Sequence, residues 1–287
     1  MKTLKHYFKK AHKEHWAIPQ FNFSDWSQVK GIVAAAQALK SPIILGTSEG
    51  ESKFVGLEEA VAMRNALRKK TGLPIFLNLD HGKSFEYLKE AIAVGYDMVH
   101  FDGSKLPLDE NIKISKKVVA AAKRKGIVVE GEVGKIGTDG SRIYEEKFEI
   151  KEGELTDPKE AELYMKKTGV TVLAISVGTF HGMDSAGHSP HIRMDRLREV
   201  HRLVQVPLVL HGGSGTPEAD VKEAIRLGIG KTNVNTETRL AFSSTLRKKL
   251  EIDKDEIVPY KYLPEAIAAV QAVAEKYIKL LGSEGKI

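Results

Sequence analysis

Three histidines in this chain are each followed by glycine, and each His-Gly pair ends a short apolar run. The runs finish in LDHG, TFHG and VLHG, at His81, His181 and His211. Three neutral imidazoles that converge on one point can hold a catalytic zinc and leave a fourth position for water or substrate oxygen. A single histidine is more often a core or surface residue, but three at equivalent places among 10 histidines favour a metal site.

Carboxylates stand at the ends of the same kind of run. Asp80 directly precedes His81, so it is a candidate acid/base beside the metal, or else the capping residue of a turn. Asp102 and Glu132 end two further runs. They are placed to hydrogen-bond the ligands or to bind a metal at an alternative position, and the competing interpretation is that they are buried structural acids.

Two glycine- and asparagine-marked segments favour phosphate binding. In HGGSGTPE, the glycines let the backbone approach a ligand, and Thr216 is predicted to cap a helix whose first residue is Pro217. In NVNTETR, Asn235 or Thr236 is predicted to start another helix, with N-capping alone as the alternative role. Exposed N–H groups at a helix N-terminus bind anions. Arg239, one turn further on, either binds a second phosphate or is an exposed helix arginine.

The elements that must position these residues follow a regular alternation of apolar runs and helical segments. Since parallel strands that are apolar on both faces are covered by helices, eight such units predict a single (β/α)8 TIM barrel over residues 1–287. Extra helices are expected at about residues 3–14 and 264–281, and segment 134–156 is expected to be a mobile lid or active-site loop. The rival open sheet lacks its glycine fingerprint. The predicted strands are residues 17–23, 42–48, 74–80, 97–102, 126–133, 171–178, 207–213 and 231–235.

Composition and charge argue against several classes of protein and of metal site. With 287 residues and 42% hydrophobic content the chain can bury a full core, and it has no cysteine, so a metal must be held by His, Asp and Glu. Although the net charge is +6, the 44 Lys and Arg are interspersed with 38 acids, which argues against nucleic acid as a partner. Neither a membrane-spanning run nor a secretory signal is recognisable, so we expect a cytoplasmic protein.

Together, the predicted metal, carboxylate and phosphate site suits chemistry next to the carbonyl of a sugar phosphate. A metal that polarises the carbonyl, with Asp80 moving a proton to or from a hydroxyl, fits carbon–carbon cleavage or isomerisation. A metal-dependent hydrolase and a noncatalytic sugar-phosphate binder on the same barrel are the alternatives.

The motifs also resemble a known family. From Phe21 to about Lys286 the chain is similar to the class II, zinc-dependent fructose-bisphosphate and tagatose-bisphosphate aldolases, in the same order and spacing. The matching motifs are FNFSD, SPIILGTSEG, NLDHG, HFDGSKLPLDENI, VVEGEVG, VGTFHG, PLVLHGGSG and GIGKTNVNTETRLAF.

The resemblance implies a glycolytic-type lyase that splits a ketose 1,6-bisphosphate, fructose ahead of tagatose, into two triose phosphates. It implies that Asp80 is the catalytic acid/base and that His81, His181 and His211 bind zinc, with Asp102 and Glu132 at an alternative metal position. It also implies a homodimer or homotetramer and a monovalent cation, Na+ or K+, near the carbonyls of two glycines. The substrate contacts it implies are Ser48, Gly182, Gly212, Gly213, Ser214, Asn233, Val234, Asn235, Thr236 and, for the distal phosphate, Arg239.

The chain departs from the family pattern in two loops. Where relatives carry adjacent acids after EGELG, this chain has KIGTDGSRIYEEKFE, with Asp139 at the expected place and Glu145 and Glu146 later. The identity of the second base therefore stays open. After His181, the segment HGMDSAGHSPHIR lacks the lysine or tyrosine-lysine pair of many relatives, and its His188 to His191 cluster is interpreted as a solvated turn.

Overall fold

The computed structural model describes residues 1–144, 150–185 and 189–287, with only the backbone described for 137–142. The strands are β1 (Ile18–Asn22), β2 (Ile43–Ser48), β3 (Ile75–Gly82), β4 (Met98–Phe101), β5 (Val128–Val133), β6 (Gly137–Tyr144), β7 (Val172–Ile175), β8 (Phe180–Asp184), β9 (Leu208–Leu210) and β10 (Ile229–Asn233). The helices are α1 (Leu4–Glu14), α2 (Trp26–Ala38), α3 (Glu49–Val55), α4 (Leu57–Thr71), α5 (Phe85–Val94), α6 (Leu108–Lys123), α7 (Pro158–Thr168), α8 (Met194–Leu203), α9 (Glu218–Arg226), α10 (Thr236–Ile252) and α11 (Pro259–Leu280), with a 3-10 turn at Glu152–Glu154.

Eight parallel strands close into a barrel, in the order β1, β10, β9, β7, β5, β4, β3 and β2. The predicted fold is therefore confirmed, and all eight predicted strands are in the ring. That residues 1–287 form a single domain stays a prediction. Because all the strands run the same way, their carboxyl ends share one rim, where loops from distant parts of the chain meet.

Apolar side chains fill two layers. One layer lies between the strands and the surrounding helices, where the prediction of strands apolar on both faces is met by buried residues of β2, β3 and β7. The other lies inside the barrel at the amino ends of the strands, where Tyr7 and Phe8 of α1 pack with Phe76 and Met98. The α1 helix thus closes the end of the barrel opposite the carboxyl rim.

Segment 134–156 differs from its prediction as a loop. Strand β6 within it pairs in parallel with β8, with Tyr144 opposite Asp184, and forms a two-stranded sheet outside the barrel. The turn-rich sequence hides this strand because its partner lies some 40 residues later, and such non-local pairing leaves no local pattern. None of the helices that the structure describes has a stretch apolar and long enough to cross a lipid bilayer.

Candidate active site

The structure places Asp80 and His81 side by side at the carboxyl rim, and an irregularity in β3 explains how. Consecutive residues of a regular strand point to opposite faces. Here His81 has φ of 51°, in the left-handed region, and the pairing of β3 with β4 shifts register between Leu79 and Gly82. As a result Asp80 is buried among polar side chains of the barrel interior while His81 also faces the site.

The three predicted zinc ligands lie together. Ring centroids are 4.7 Å apart for His81 and His211, 4.8 Å for His81 and His181, and 5.7 Å for His181 and His211. His181 does not end a barrel strand as predicted. It lies in β8, beyond β7, so the small outer sheet brings it to the other two.

The contact between His81 and His211 requires a positive species. His211 Nε2 lies 2.7 Å from Glu130 Oε1 and His81 Nδ1 lies 3.0 Å from Asp102 Oδ2, so each ring has one N–H directed at a carboxylate. The two remaining nitrogens, His211 Nδ1 and His81 Nε2, are 3.0 Å apart. Two lone pairs cannot face each other at this distance without a proton or a metal ion between them. The donor set therefore fits zinc.

The carboxylates around these rings favour the same conclusion. The group formed by His81, Asp102 and Glu132 offers three ligand atoms within 4.8 Å of one another, as the predicted alternative metal position requires. Burial would raise the pKa of Asp102, but the hydrogen bond with His81 and its charge hold that pKa well below the usual range. Burial lowers the pKa of His81, and Asp80 and Asp102 outweigh it and raise the pKa.

Glu130 and Lys231 form a fully buried ion pair beneath His211. Lys231 Nζ lies 2.7 Å from Glu130 Oε2, and neither side chain has any exposed surface. Burial raises the pKa of Glu130, but the Lys231 charge beside it holds that pKa below its usual value. Glu130 lies within the predicted strand 126–133, but nothing in the sequence links it to a partner, since the link joins residues 101 positions apart.

His100, at the third position of β4, is a further imidazole in the site that the sequence analysis missed. It is completely buried, with its ring centroid 4.7 Å from that of His81 and 5.0 Å from that of His211. Its Nδ1 accepts a hydrogen bond from the His81 backbone N–H at 3.1 Å, and its Nε2 lies 3.0 Å from Glu132 Oε2. The signal was available: MVHF places a histidine inside an otherwise apolar strand.

The protonation of His100 follows from that hydrogen bond. Burial lowers the pKa of His100, but Glu130, Asp80 and Glu132 raise it well above its usual value. A protonated Nδ1 cannot accept from the His81 N–H, so the geometry assigns the neutral ring with its proton on Nε2, facing Glu132. A divalent cation nearby would favour this neutral form through charge repulsion.

Asp80 is held as a carboxylate by two amides. Its Oδ2 accepts from Asn22 Nδ2 at 3.0 Å and its Oδ1 from Asn233 Nδ2 at 3.2 Å. Burial raises the pKa of Asp80, but positive charge at His81 and Lys231 holds that pKa well below its usual value. The group is thus an ionised base next to the imidazole cluster, with a fixed orientation.

A small cavity beside the imidazoles matches the predicted phosphate site. Gly212 adopts φ of +68°, and a Cβ at this position would come within 2.2 Å of the Phe180 carbonyl oxygen, so only glycine fits. The N-terminus of α10 opens on the cavity, and Glu237 N donates to Ser214 Oγ at 3.3 Å. The predicted residues Gly213 and Val234 are not among its lining residues. The lining residues are His181, Gly182, Gly212, Ser214, Asn233, Asn235 and Thr236.

Of the two predicted helix starts, one is wrong and one is confirmed. Pro217 precedes α9, which begins at Glu218, and the Thr216 hydroxyl donates to the Gly212 carbonyl at 3.1 Å instead of capping the helix. The prediction of Thr216 as N-cap is therefore wrong, because the side chain closes the glycine turn. As predicted, α10 begins at Thr236, but the Asn235 side chain accepts from the Asn22 backbone N–H and makes no cap.

Ser48 and Arg239 meet through an acid that the sequence analysis did not single out. Ser48 and Glu51 form a capping box at the start of α3. Glu51 Oε2 accepts from Ser48 N at 2.8 Å and Asn22 Nδ2 at 3.1 Å, while its Oε1 lies 2.6 Å from Arg239 Nη2. Arg239 is thus anchored at the rim and stays partly exposed, with its side chain 35% accessible.

Some predicted residues fall outside the described part of the chain. Glu145, Glu146 and His188 lie there, as does the side chain of Asp139. Of the predicted solvated turn, His191 is exposed and its Nδ1 lies 2.9 Å from Asp220 Oδ2.

Over nearly its whole length, the chain is similar to proteins described as fructose-bisphosphate aldolases. The family described as "Fructose-bisphosphate aldolase class-II" matches residues 2–286. The fructose-bisphosphate aldolase of Geobacillus stearothermophilus is 35% identical over 288 residues, which covers 99% of this chain and 98% of that protein. The fructose-bisphosphate aldolase of Helicobacter pylori is 34% identical over 301 residues, with 97% of each chain covered.

Solved structures agree on the fold. The YdjI aldolase from Escherichia coli K12 superposes with a TM-score of 0.85 at 29% identity, covering 100% of this chain and 99% of that one. The fructose-bisphosphate aldolase of Campylobacter jejuni gives a TM-score of 0.82 at 22% identity, with coverage of 99% and 95%.

Proposed function

This chain belongs to the class II fructose-bisphosphate aldolase family of lyases, and from that premise we propose that it reversibly cleaves fructose 1,6-bisphosphate to dihydroxyacetone phosphate and glyceraldehyde 3-phosphate. Tagatose 1,6-bisphosphate is the alternative substrate. The observation that carries the proposal is the facing pair of nitrogens on His81 and His211, 3.0 Å apart, beside the ionised Asp80.

His81, His181 and His211 are the residues we propose to hold zinc, with Asp102 and Glu132 as ligands at an alternative position. The carboxylates beside His81 and His211 support this set, since an N–H directed at Asp102 or Glu130 leaves each ring with one unprotonated nitrogen facing the cluster. When bound, the ion supplies a Lewis acid that polarises the ketone carbonyl and stabilises negative charge next to it.

Asp80 is the proposed acid/base. In cleavage it takes the proton of the C4 hydroxyl, the C3–C4 bond breaks as that oxygen becomes the aldehyde, and the electron pair passes to C3 beside the ketone. In condensation Asp80 returns the proton. The amides of Asn22 and Asn233 keep the carboxylate ionised and oriented for this transfer. The group that protonates C3 in cleavage, and takes that proton back in condensation, is proposed to come from segment 134–156, where Asp139, Glu145 and Glu146 are the candidates.

The glycine-lined cavity is proposed to bind the ketone-side phosphate. Its backbone N–H groups at the start of α10 and the Ser214 hydroxyl supply donors for an anion. We assign Gly182, Gly213, Val234 and the other residues of these turns to the same site. The carbonyls of Gly182 and Gly212 are proposed to bind Na+ or K+; replacing both ions with tetramethylammonium should lower turnover.

Ser48 and Arg239 are proposed to contact the substrate on the other side of Asp80. The Ser48 hydroxyl caps α3 next to Asp80 in register, and Arg239 keeps guanidinium N–H groups at the rim for the distal phosphate. A bidentate guanidinium–phosphate contact would use the face of Arg239 that does not meet Glu51.

We also propose a homodimer or homotetramer. Large apolar side chains are exposed on α10, on the connection that follows it and at the start of α11, which favours an interface there. Light scattering should give two or four times the chain mass of 31.7 kDa, and the mass of one chain would contradict the proposal. The exposed residues are Leu240, Leu250, Ile252, Ile257 and Tyr260.

The decisive experiment measures triose phosphate release from fructose and tagatose 1,6-bisphosphates by the zinc-loaded protein. We expect a higher kcat/KM for the fructose isomer. A preference for tagatose would correct the stereochemistry, while no cleavage of either would contradict the proposal. The Asp80→Ala variant, purified in parallel, controls for contaminating aldolase.

A further inference from the structure

The strand that carries Asp80 and His81 has a geometry that needs explaining. His81 is one of the described non-glycine residues with φ in the left-handed region, at 51°, and the Cβ of an L-residue disfavours this conformation. Without it, alternation along the strand would direct Asp80 and His81 to opposite faces. The left-handed backbone at His81 is therefore what lets both side chains serve one site.

His100 supplies the contact that fixes this backbone. The register of β3 against β4 runs from Leu79 opposite Val99 to Gly82 opposite Phe101, which leaves His81 out of the regular ladder. The backbone N–H of His81 donates instead to His100 Nδ1, at 3.1 Å. Since a buried N–H without an acceptor is strongly disfavoured, this side chain replaces the missing carbonyl.

The other nitrogen of His100 faces an acid. Nε2 lies 3.0 Å from Glu132 Oε2, an oxygen that is also 3.8 Å from His81 Nδ1. The ring is fully buried and lies beneath His81 and His211, away from the rim. Because Nδ1 accepts the His81 N–H and the ring has no exposed surface, His100 contacts the backbone of a proposed ligand and not the substrate.

We propose that His100 is a positioning residue for the aldolase reaction: its Nδ1 holds the left-handed turn at His81, and so sets His81 as a ligand and Asp80 as a base in the same site. This inference rests on the proposed function for its kinetic consequence. Its effect on metal binding can be measured without any substrate.

Three variants separate the two contacts of His100. In His100→Asn the side-chain oxygen can take the place of Nδ1 and accept the His81 N–H. In His100→Gln the amide reaches the place of Nε2 and Glu132 but supplies no acceptor near His81. His100→Leu removes both contacts, and His6→Asn, at an exposed position of α1, is the matched control.

Zinc affinity is measured in metal buffers, and kcat and KM are measured for fructose 1,6-bisphosphate. We expect His100→Asn to stay within about threefold of the unmodified protein, and His100→Gln to lose about 10- to 100-fold in zinc affinity. In zinc-saturated protein, His100→Gln should lower kcat with little change in KM, because Asp80 is displaced while the phosphate cavity is untouched. His6→Asn should change nothing.

Several results would overturn the proposal. If Gln restores zinc affinity and Asn does not, the contact with Glu132 is the important one; if neither variant loses affinity, His100 does not position the ligand. The comparison of Asn with Gln stands even where the Leu variant fails to fold. If the unmodified protein binds zinc but cleaves neither bisphosphate, the proposed function fails while the affinity series still tests His100.

Discussion

Replacing Lys231 with methionine should destabilise the protein severely. Lys231 and Glu130 are both fully buried, and Lys231 Nζ lies 2.7 Å from Glu130 Oε2. The substitution leaves the Glu130 carboxylate buried, with the N–H of His211 as its hydrogen-bond donor. Removing one partner of a buried ion pair costs about 3–5 kcal/mol. The exposed pair of Lys166 and Glu162 on α7 provides the contrast, since a helical pair of this spacing is worth only about 0.2–0.5 kcal/mol.

The assay is urea unfolding in the presence of a chelator, so that bound metal does not add to the free energy of unfolding. Lys231→Met should lower that free energy by about 3–5 kcal/mol, and Lys166→Met by less than about 0.5 kcal/mol. Adding Glu130→Gln to Lys231→Met should recover much of the loss, because the orphaned charge is removed while an acceptor for His211 remains.

The pH dependence gives a second check on the same variant. Without Lys231, burial raises the pKa of Glu130 in the folded state, so the variant gains stability relative to the unmodified protein as the pH falls and the carboxyl binds a proton. The deficit should be smaller at acidic than at alkaline pH. Equal losses for Lys231→Met and Lys166→Met would refute the argument that the buried pair is a major determinant of stability.

The remaining predictions concern activity. Asp80→Ala should lower turnover by roughly two to four orders of magnitude and retain zinc measured by atomic absorption; unchanged turnover would remove Asp80 from the mechanism. A chelator should abolish cleavage and zinc should restore it, whereas borohydride added with substrate should trap no lysine adduct; a trapped lysine would indicate Schiff-base chemistry. Glu51→Gln should raise the ratio of kcat/KM for fructose 1,6-bisphosphate over fructose 1-phosphate several-fold. The side-chain oxygen of the glutamine keeps the hydrogen bonds from Ser48 and Asn22, whereas the negative charge that neutralises Arg239 is lost. An unchanged ratio would place Arg239 away from the distal phosphate.

Much of the architecture was predictable because it depends on local patterns of apolar residues in the sequence. Apolar runs such as PIFLNLD and PLVLHGG correspond to β3 and β9, and the barrel follows from their number and spacing. The grouping of His81 and His211 followed from one rule, that the ends of parallel strands share a rim, whereas His181 joins them from β8 of the outer sheet.

The missed features depend on long-range pairing or on backbone conformation. Glu130 and Lys231 are 101 positions apart in the sequence, and the sequence around neither residue indicates that the two form an ion pair. The left-handed backbone of His81 has no signal in DHG, since histidine does not require it. His100 was passed over because a histidine within a strand is more often a satisfied core residue, and only coordinates show which backbone group it satisfies.

Closure of the barrel by α1 has a consequence for chain topology. The proposed chemistry occupies one mouth of the barrel, while α1 fills the other, where Lys10 Nζ donates to the Lys286 carbonyl at 2.9 Å and Lys286 pairs with Glu14. The two ends of the described chain are therefore separated by little more than the length of α1, roughly 16 Å for its 11 residues. A short flexible linker can join them, and new ends opened at Gly72 or Gly126, in turns that lead into strands, would yield a circularly permuted enzyme with its catalytic rim uncut.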